Sequence, residues 1–280
     1  MNIAKVWYVT GASQGLGLTL VKKLLDHGYR VAATSRDAYV LKQAVGVNDT
    51  DRFLPLAVDL TSQDSIDESV QQTLAAFGRI DVVVNNAGYG MAGVVEETAD
   101  KDIRNIFNVN VLATIDVVKS VLPIMRGQRS GYIINIGSVA GFSGAPGWSV
   151  YSATKAAVAA FSEVIALDAK EFGIKVTVVE PSGFRTGFLT KKSLALSNPQ
   201  IAGYEAVKNT QDRYLSMDGQ QAGDPDRAAE IFIALAESAN PPMHLFLGKD
   251  AYNRAAEKIA TMAAELEQWK STTIGADFPL

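Results

Sequence analysis

The chain has 280 residues, of which 48% are hydrophobic and 20% charged, as expected for a globular protein with a sizeable core. Its formal net charge of -4 argues against a nucleic-acid surface, which normally carries a basic patch. The absence of cysteine excludes disulfides, thiolate chemistry and cysteine-ligated metals. The two histidines, His27 and His244, are too few to favour a histidine-based metal site or triad. We therefore predict no metal site and no nucleic-acid partner.

Nothing in the sequence predicts a membrane-bound or exported protein. It carries no run of about 18 uninterrupted apolar residues, so it predicts no transmembrane helix. The opening stretch MNIAKVWYVTG leads straight into a strand pattern rather than into the charged segment and longer apolar core of a signal peptide. A lack of cysteine also fits a reducing compartment. We expect a cytoplasmic protein without a membrane partner.

Strand and helix patterns alternate for most of the length. Short apolar runs rich in valine and isoleucine are typical of parallel strands buried on both faces, and they lie at 5–9, 30–34, 53–58, 81–84, 132–136, 175–179 and 244–247. Helical patterns lie near 16–27, 62–77, 100–126, 150–172 and 225–238. This alternation predicts one α/β domain over 1–280, with a doubly wound parallel sheet of seven strands and helices on both faces.

Two segments depart from that alternation. Residues 184–223 mix glycines with polar and apolar residues just after a predicted strand, where an active-site lid would lie, and a surface excursion is the alternative. Apolar residues then follow one helical face over 249–269, namely Ala251, Ala255, Ile259, Met262, Ala263 and Leu266. We predict a helical tail over 249–280 that packs on the body or on a partner subunit.

A glycine-rich loop, TGASQGLG at residues 10–17, follows the first strand pattern and opens the first helix pattern. Gly11, Gly15 and Gly17 lack Cβ atoms, so the backbone there can turn tightly and approach a ligand. The free N–H groups and positive dipole end of the following helix favour an anion such as a pyrophosphate. The spacing is G-x-x-x-G-x-G, which differs from the general dinucleotide fingerprint, and a tight strand–helix connection is the alternative.

The residue after the second strand bears on which dinucleotide binds. A carboxylate there usually binds the ribose 2′-hydroxyl of NAD, whereas this chain has Arg36, a planar cation that suits a 2′-phosphate. Ser13 and Ser35 could add hydroxyl donors. We therefore predict NADP(H) as the cofactor in preference to NAD(H).

Two acidic residues near these strand ends have local alternatives. Asp37 could turn inward and repel a phosphate, but we expect it to cap the next helix. Asp59, in VDLT after the third strand, could accept a hydrogen bond from the adenine amino group. Alternatively, it could cap the following helix through Thr61 and Ser62.

Ser138, Tyr151 and Lys155 form the candidate catalytic set. Tyr151 and Lys155 are four residues apart in YSATK, at the start of a helix pattern, so they share one helix face. A nearby ammonium and an oxidised nicotinamide would lower the pKa of Tyr151 from its ordinary value of about 10. Tyr151 could then exchange a proton with a carbonyl or alcohol oxygen that Ser138 holds. A solvated helix face is the alternative for the Tyr–Lys pair.

Taken in order, these motifs resemble the short-chain dehydrogenase/reductase family of the compact, single-domain type. TGASQGLG resembles its T-G-x-x-x-G-x-G loop, and NNAG at 85–88 resembles its motif after the fourth strand. Asn110 in NVN resembles its helix asparagine, and Ser138 with YSATK resembles its S…Y-x-x-x-K set. PSG at 181–183 resembles its P-G segment with one residue inserted. The resemblance covers about residues 3–247 and implies a Rossmann fold and an NADP(H)-dependent oxidoreductase.

The resemblance also implies a role for each residue. Tyr151 would be the general acid/base, and Lys155 would bind the nicotinamide ribose and lower the pKa of Tyr151. Ser138 would orient the substrate oxygen, and Asn110 would hold a water that links Lys155 to solvent. The residues implied in cofactor binding are Gly11, Ser13, Gln14, Gly15, Leu16, Gly17, Arg36, Asp59, Leu60, Asn86, Ala87, Gly88, Tyr151, Lys155, Pro181, Gly183 and Thr186.

The residues expected to face the substrate are mostly apolar or aromatic: Tyr89, Met91, Val139, Phe142, Trp148, Ser182, Phe184, Phe188 and Leu189. No cluster of arginine or lysine accompanies them to clamp a carboxylate or phosphate. We interpret Arg185, Lys191 and Lys192 as solvated charges, because arginine and lysine are rarely buried unless paired. The predicted substrate is therefore an apolar ketone, aldehyde or secondary alcohol.

The motifs also bear on alternative functions and on the assembly of the chain. A sensor or scaffold that binds NADP(H) without turnover is the alternative function, although such relatives usually lack the tyrosine or the lysine. A lyase or epimerase would usually have a different glycine spacing and a larger C-terminal domain. The resemblance implies a homodimer or homotetramer assembled through the helices near 100–126 and 150–172. The long tail argues against the standard tetramer.

Overall fold

Seven parallel strands form the centre of the protein. The computed structural model describes residues 4–47, 49–197 and 201–278. The strands of the main sheet are Val6–Val9 (β1), Arg30–Ser35 (β2), Phe53–Ala57 (β3), Val82–Asn85 (β4), Gly131–Ile136 (β6), Ile174–Pro181 (β7) and His244–Leu247 (β9). Gly90–Ala92 (β5) and Leu194–Leu196 (β8) form a separate two-stranded parallel sheet.

The strand order in the main sheet is β3-β2-β1-β4-β6-β7-β9. From β1 the chain first adds β2 and β3 on one side, and it then crosses to the other side, where β4 pairs with β1. The order therefore reverses between β1 and β4, and open sheets of this kind bind ligands beside the carboxyl ends of the strands at such a point. The predicted doubly wound sheet is confirmed.

Helices cover both faces of the sheet. Those in the described residues are Gly15–Asp26 (α1), Ala38–Val45 (α2), Gln63–Phe77 (α3), Asp100–Phe107 (α4), Ala113–Gln128 (α5), Val139–Phe142 (α6), Ser149–Asp168 (α7), Glu205–Ser216 (α8), Pro225–Glu237 (α9), Lys249–Gln268 (α10) and Lys270–Ile274 (α11). Val9 and Val31 share one core with α1, α2 and α9, whereas Tyr8 and Val83 share a second core with α3, α5 and α7. The two cores lie on opposite faces because successive strand residues point to opposite sides.

The predicted strands and helices are present, with differences at particular places. The helix predicted at 100–126 is divided into α4 and α5 by a wider π-helical turn, Asn108–Leu112, which carries Asn110. The helix predicted at 150–172 ends at Asp168, and a short 3₁₀ helix, Lys170–Phe172, follows. The sequence pattern missed α2, because that helix buries only Leu41 and Val45 and so shows little periodicity.

The region 184–223 contains regular structure. It includes a 3₁₀ helix, Gly187–Leu189, as well as β8 and α8, and residues 198–200 fall outside the described ranges. A backbone bridge between Phe184 and Gly223 joins its two ends. The region follows the carboxyl end of β7, where a lid was predicted, and its function as a lid stays a prediction. The tail forms α10 and α11, which confirms the helix predicted at 249–269.

Two helical stretches, Asp100–Gln128 and Ser149–Asp168, are long and apolar enough to cross a membrane by length and composition. The sequence expectation of no such segment considered only uninterrupted apolar runs, and these stretches include charged residues. Core helices of globular domains pass the same test. Here α5 and α7, which lie within the two stretches, share a core with the sheet, and that packing accounts for their apolar faces.

Candidate active site

The glycine loop lies at the carboxyl end of β1, beside the reversal of strand order. Gly11 and Gly15 have φ angles of 65° and 59°, a left-handed region that other residues rarely adopt. A Cβ atom on Gly11 would lie 2.7 Å from Cα of Ala87, and a Cβ atom on Gly17 would lie 2.5 Å from Nδ2 of Asn86. Backbone conformation and close packing therefore both require glycine in this loop.

The N-terminus of α1 is open to an anion. Its N-cap residue, Gln14, makes no side-chain cap hydrogen bond, and the first turn has no acidic residue. Gln14 Nε2 instead donates to Ser193 Oγ at 2.8 Å, so a cofactor contact from Gln14 would come from its backbone. The first-turn N–H groups, including that of the half-buried Leu16, and the helix dipole suit a pyrophosphate. On this observation the loop fits a dinucleotide.

Thr10 ties the NNAG segment to the glycine loop. Its hydroxyl accepts from the backbone N–H groups of Asn86 at 3.0 Å and Ala87 at 3.1 Å. In return, Asn86 Nδ2 donates to the carbonyl oxygens of Thr10 and Gly11, both at 3.0 Å. These four hydrogen bonds hold the two segments together. Thr10 was not among the predicted site residues, although its position between a strand and the first glycine of the loop was a signal for it.

Arg36 lies exposed directly after β2. The neighbouring Asp37 accepts at Oδ1 from the backbone N–H groups of Tyr39 at 2.8 Å and Val40 at 3.0 Å, which confirms that it caps α2. The Ser35 hydroxyl is engaged locally, donating to the carbonyl oxygen of Asp37 at 2.6 Å. The carboxylate is therefore held by the helix. Recognition of a 2′-phosphate by Arg36 stays a prediction. The same is true of a contact from Ser13, which is half-buried in the glycine loop.

Asp59 and Leu60 follow β3. Asp59 Oδ1 accepts from the hydroxyl and backbone N–H of Thr61 at 2.7 and 2.9 Å, and these hydrogen bonds hold the pKa of Asp59 below its usual value. Ser62 rather than Asp59 caps α3, accepting from the N–H of Ser65 at 3.3 Å. Asp59 therefore stabilises the turn before α3, and Ser62 provides the cap. Contacts of Asp59 and Leu60 with adenine stay predictions.

Tyr151, Lys155 and Ser138 meet beside the carboxyl end of β6. Tyr151 and Lys155 lie one turn apart in α7 and are only 6% and 5% exposed, so the alternative of a solvated helix face is wrong. Lys155 Nζ lies 5.9 Å from the centroid of the Tyr151 ring and donates to the carbonyl oxygen of Ile136 at 2.8 Å. Ser138 caps α6, accepting from the N–H of Ala140 at 3.1 Å. The predicted set is brought together in a buried corner.

Burial changes the pKa values of this pair. Desolvation raises the pKa of Tyr151 to about 12, and a hydrogen bond with Ser138 opposes that rise. Desolvation also lowers the pKa of Lys155 to about 8. In the chain without a cofactor, the pKa of Tyr151 is therefore raised, because burial disfavours the phenolate. The lowered pKa expected with an oxidised nicotinamide bound stays a prediction.

Asn110 joins α7 to the residue that follows the NNAG segment. Its Oδ1 accepts from the N–H of Tyr89 at 3.0 Å, while Nδ2 donates to the carbonyl oxygen of Tyr89 at 2.9 Å and to Thr154 Oγ1 at 3.2 Å. A Cβ atom on Gly88 would lie 3.0 Å from Asn110 Oδ1 and 3.5 Å from Lys155 Nζ. Asn110 therefore positions the backbone beside Lys155. The water relay implied for it stays a prediction, and Thr154 is a partner that sequence reasoning missed.

The segment after β7 borders the same cleft. Pro181 ends β7, and the carbonyl oxygen of Gly183 accepts from the N–H of Gly223 at 3.0 Å. A Cβ atom on Gly15 would lie 3.6 Å from Cβ of Thr186, so Thr186 faces the glycine loop. The structure thus places Thr186 opposite the start of α1, and its contact with the cofactor stays a prediction.

An apolar cluster surrounds Tyr151. Of the residues predicted to face the substrate, it contains Tyr89, Met91, Trp148, Phe188 and Leu189. Phe142 packs instead on Phe246, with ring centroids 5.0 Å apart, and Phe184 belongs to the core on the other side of the sheet. These two therefore lie outside the cluster, because sequence position does not fix which way a loop side chain points, and their contact with substrate stays a prediction. The cluster also holds residues that the sequence did not single out, namely Ile103, Ile106, Phe107, Leu194, Tyr214 and Leu215.

The family comparison agrees with this geometry. The model of the short chain dehydrogenase family matches residues 5–196. Oxidoreductase BOA17 of Botryotinia fuckeliana is 34% identical over 98% of this chain and 100% of its own length. The 3-ketodihydrosphingosine reductase of Bacteroides thetaiotaomicron is 32% identical over 86% of each protein.

Solved structures extend the likeness beyond the part that the family model matches. A short-chain dehydrogenase from Streptomyces avermitilis has a TM-score of 0.90 and 36% identity over 99% of this chain and 100% of its own. That match leaves only a few residues uncovered, so α10 has a counterpart there. ElxO with NADP bound has a TM-score of 0.72 and 27% identity over 86% of this chain and 96% of its own. This chain therefore belongs to the short chain dehydrogenase family and is, by that membership, a compact Rossmann-fold oxidoreductase.

Proposed function

We propose that this chain is an NADP(H)-dependent oxidoreductase that interconverts an apolar ketone or aldehyde with the corresponding alcohol. The observation that carries the proposal is the burial of Tyr151, Lys155 and Ser138 between the open N-terminus of α1 and an apolar cluster. A dinucleotide on the glycine loop and a carbonyl group beside Tyr151 would share this cleft. The NADP bound to the relative ElxO supports a nicotinamide cofactor.

When bound, the nicotinamide supplies or accepts the hydride, and the residues of the chain handle the proton. The raised pKa keeps Tyr151 protonated at neutral pH, so in reduction it would donate its proton to the substrate oxygen. Ser138 would hold that oxygen in place. Lys155, with a pKa of about 8, is mostly charged at pH 7 and would stabilise the phenolate that remains. The surrounding apolar side chains would exclude water.

The preference for NADP(H) over NAD(H) rests on Arg36. Its exposed guanidinium follows β2, and Asp37, the adjacent carboxylate, is held as the cap of α2. A planar cation in that place suits the 2′-phosphate, and a carboxylate directed at the ribose would suit NAD.

We also propose that the partners of the chain are its small substrate and further copies of itself, in the cytoplasm. The cluster around Tyr151 is apolar, which suits a small apolar substrate. The net charge of -4 gives no electrostatic attraction to nucleic acid. The exposed apolar residues Val164 and Leu167 on α7 support contact between copies through that helix. Size measurement in solution and cell fractionation would test the assembly and the location.

The deciding experiment is oxidation of NADPH and NADH by the purified protein across ketones, aldehydes, quinones and steroids, with 3-ketodihydrosphingosine included. We expect turnover with NADPH and one group of apolar carbonyl compounds, and none with carboxylated analogues. Tight NADPH binding without turnover on the whole panel would contradict the proposal and favour the NADP(H)-binding sensor or scaffold.

A further inference from the structure

The tail helix α10 and the residue after it carry a long apolar stripe that is open to solvent. Ile259, Met262 and Leu266 lie on α10, and Trp269 directly follows its last residue. All four are between 51% and 67% exposed. A stripe of this size and composition is unusual on a surface that faces only water. The tail lies beyond the residues matched to the family model. It nevertheless has a counterpart in the Streptomyces structure, so at least one relative has the same tail.

The helical face that carries the stripe is buried at the start of α10 and exposed in its second half. Ala251 and Ala255, on the same helical face, are fully buried against the body. Arg254 donates to the carbonyl oxygen of Ser143, and the Lys258 ammonium lies 5.7 Å from the centroid of the Phe142 ring, so the first half of α10 is anchored. The anchored half holds the second half in a fixed direction, with its apolar face uncovered.

The spacing of the stripe is that of a helix pair. Tyr252, Ala255, Ile259, Met262, Leu266 and Trp269 follow one another at alternating intervals of three and four residues. This is the seam of a two-stranded coiled coil, in which each seam residue packs between residues of the other helix. A helix that lies flat on one large surface needs a broader apolar face than this seam.

The charges beside the seam indicate a second copy of the same helix. When two copies pair in parallel and in register, Glu265 near the end of α10 faces Lys270, the first residue of α11, in the other copy. Lys258 faces the small Ala263. When they pair in the opposite direction with Lys258 facing Glu265, Lys270 of each copy faces Lys249 of the other. Parallel pairing therefore makes two attractive pairs without a repulsive one. The acidic residues Glu257 and Glu267 on the outer side argue against an anionic membrane surface.

We propose that α10 is a contact between two copies of this chain, paired in parallel along the stripe from Ile259 to Trp269. The contact is isologous, so each residue meets its own counterpart across a two-fold axis. It is separate from the α7 surface named above and from the active site. Two such surfaces in one chain would allow assembly beyond a dimer.

Disulfide formation tests the contact directly, because the chain has no cysteine of its own. The variant Leu266→Cys places one thiol on the seam, where parallel pairing brings the two Cα atoms within disulfide reach of about 4.4–6.8 Å. We expect mild oxidation to convert Leu266→Cys to a covalent dimer and to leave Ala264→Cys, on the outer side, as single chains. Equal and negligible cross-linking of both variants would overturn the proposal. Because the readout is covalent linkage, it does not depend on catalysis.

Charge reversal tests the direction of pairing. In the Leu266→Cys background, Glu265→Lys places lysine against Lys270 and should slow cross-linking at least several-fold. Adding Lys270→Glu restores opposite charges and should recover the original rate, whereas Glu257→Lys on the outer side should leave it unchanged. Unchanged cross-linking with Glu265→Lys, or failure of the double reversal to recover it, would overturn the parallel arrangement.

Discussion

Lys155 Nζ donates a 2.8 Å hydrogen bond to the carbonyl oxygen of Ile136, the last residue of β6. This bond joins α7, which carries the candidate catalytic residues, to the carboxyl end of the central sheet. It also holds an ammonium in a place where burial lowers its pKa to about 8. The position of Lys155 therefore carries a desolvation cost.

That cost predicts how stability depends on pH. The folded pKa of Lys155 is depressed from 10.5 to about 8, so between these values the unfolded chain binds more protons and the folded state gains stability as pH rises. Relative to Lys155→Met, the free energy of unfolding of the natural chain should rise by on the order of 3 kcal/mol across this window. Denaturant unfolding at pH 7 and pH 10 measures the change. Lys119→Met, at an exposed lysine, is the control, and a parallel response of both variants would contradict the assignment.

Tyr151→Phe should lower kcat by about a hundredfold to ten-thousandfold, because proton transfer from a positioned side chain typically contributes about that factor to the rate. NADPH binding, measured by quenching of protein fluorescence, should stay within a few-fold, since the hydroxyl is the only group removed. Tyr132→Phe, which removes another buried hydroxyl, is the control and should keep full activity. Near-full activity of Tyr151→Phe would show that another group moves the proton.

The rate of carbonyl reduction should depend on pH through Lys155. As pH rises above about 8, the ammonium loses its proton and stabilises the developing phenolate less, so kcat/KM should fall. Tyr151 itself stays protonated over this range, because its pKa is about 12. Initial rates at saturating NADPH from pH 6 to pH 10 test this. A rate that increases steadily through pH 9 would contradict the role of Lys155.

Arg36→Asp should shift cofactor preference from NADPH toward NADH. The change removes a cation suited to a 2′-phosphate and adds a carboxylate that repels it and can accept from a ribose hydroxyl. We expect at least a tenfold change in the ratio of the two Kd values, measured by titration. Lys119→Asp, which makes the same charge change on α5, should leave the ratio unchanged. An unaltered ratio in Arg36→Asp would place the phosphate elsewhere.

Gly17→Ala should weaken cofactor binding and lower the melting temperature. A methyl group there would lie 2.5 Å from Nδ2 of Asn86 and 2.7 Å from the carbonyl oxygen of Gly11, so the loop and the NNAG segment must move apart. Gly127→Ala is the matched control, since no atom lies within 4 Å of its added methyl group. It should raise stability by up to about 1 kcal/mol because alanine favours helix. Equal melting temperatures for the two variants would contradict the packing argument.

The sequence by itself determined the sheet and predicted which residues form the candidate catalytic set. Buried parallel strands leave continuous apolar runs, and the turn from β1 to α1 needs glycine at Gly11 and Gly15, so both features are local and visible in the chain. Tyr151 and Lys155 are likewise one helical turn apart, which spacing alone reveals. Asp37 was predicted as a cap because capping depends on the next few residues only.

Only the tertiary structure decided the properties that depend on distant neighbours. Thr10 meets Asn86, and Gln14 meets Ser193, across separations that no local pattern records. The raised pKa of Tyr151 in the chain without a cofactor comes from elements packed around α7, whereas sequence spacing shows only the nearby charge. Likewise, only packing shows that Phe142 and Phe184 lie outside the cluster around Tyr151. Burial, direction and long-range contact are set by packing, and packing is a property of the whole fold.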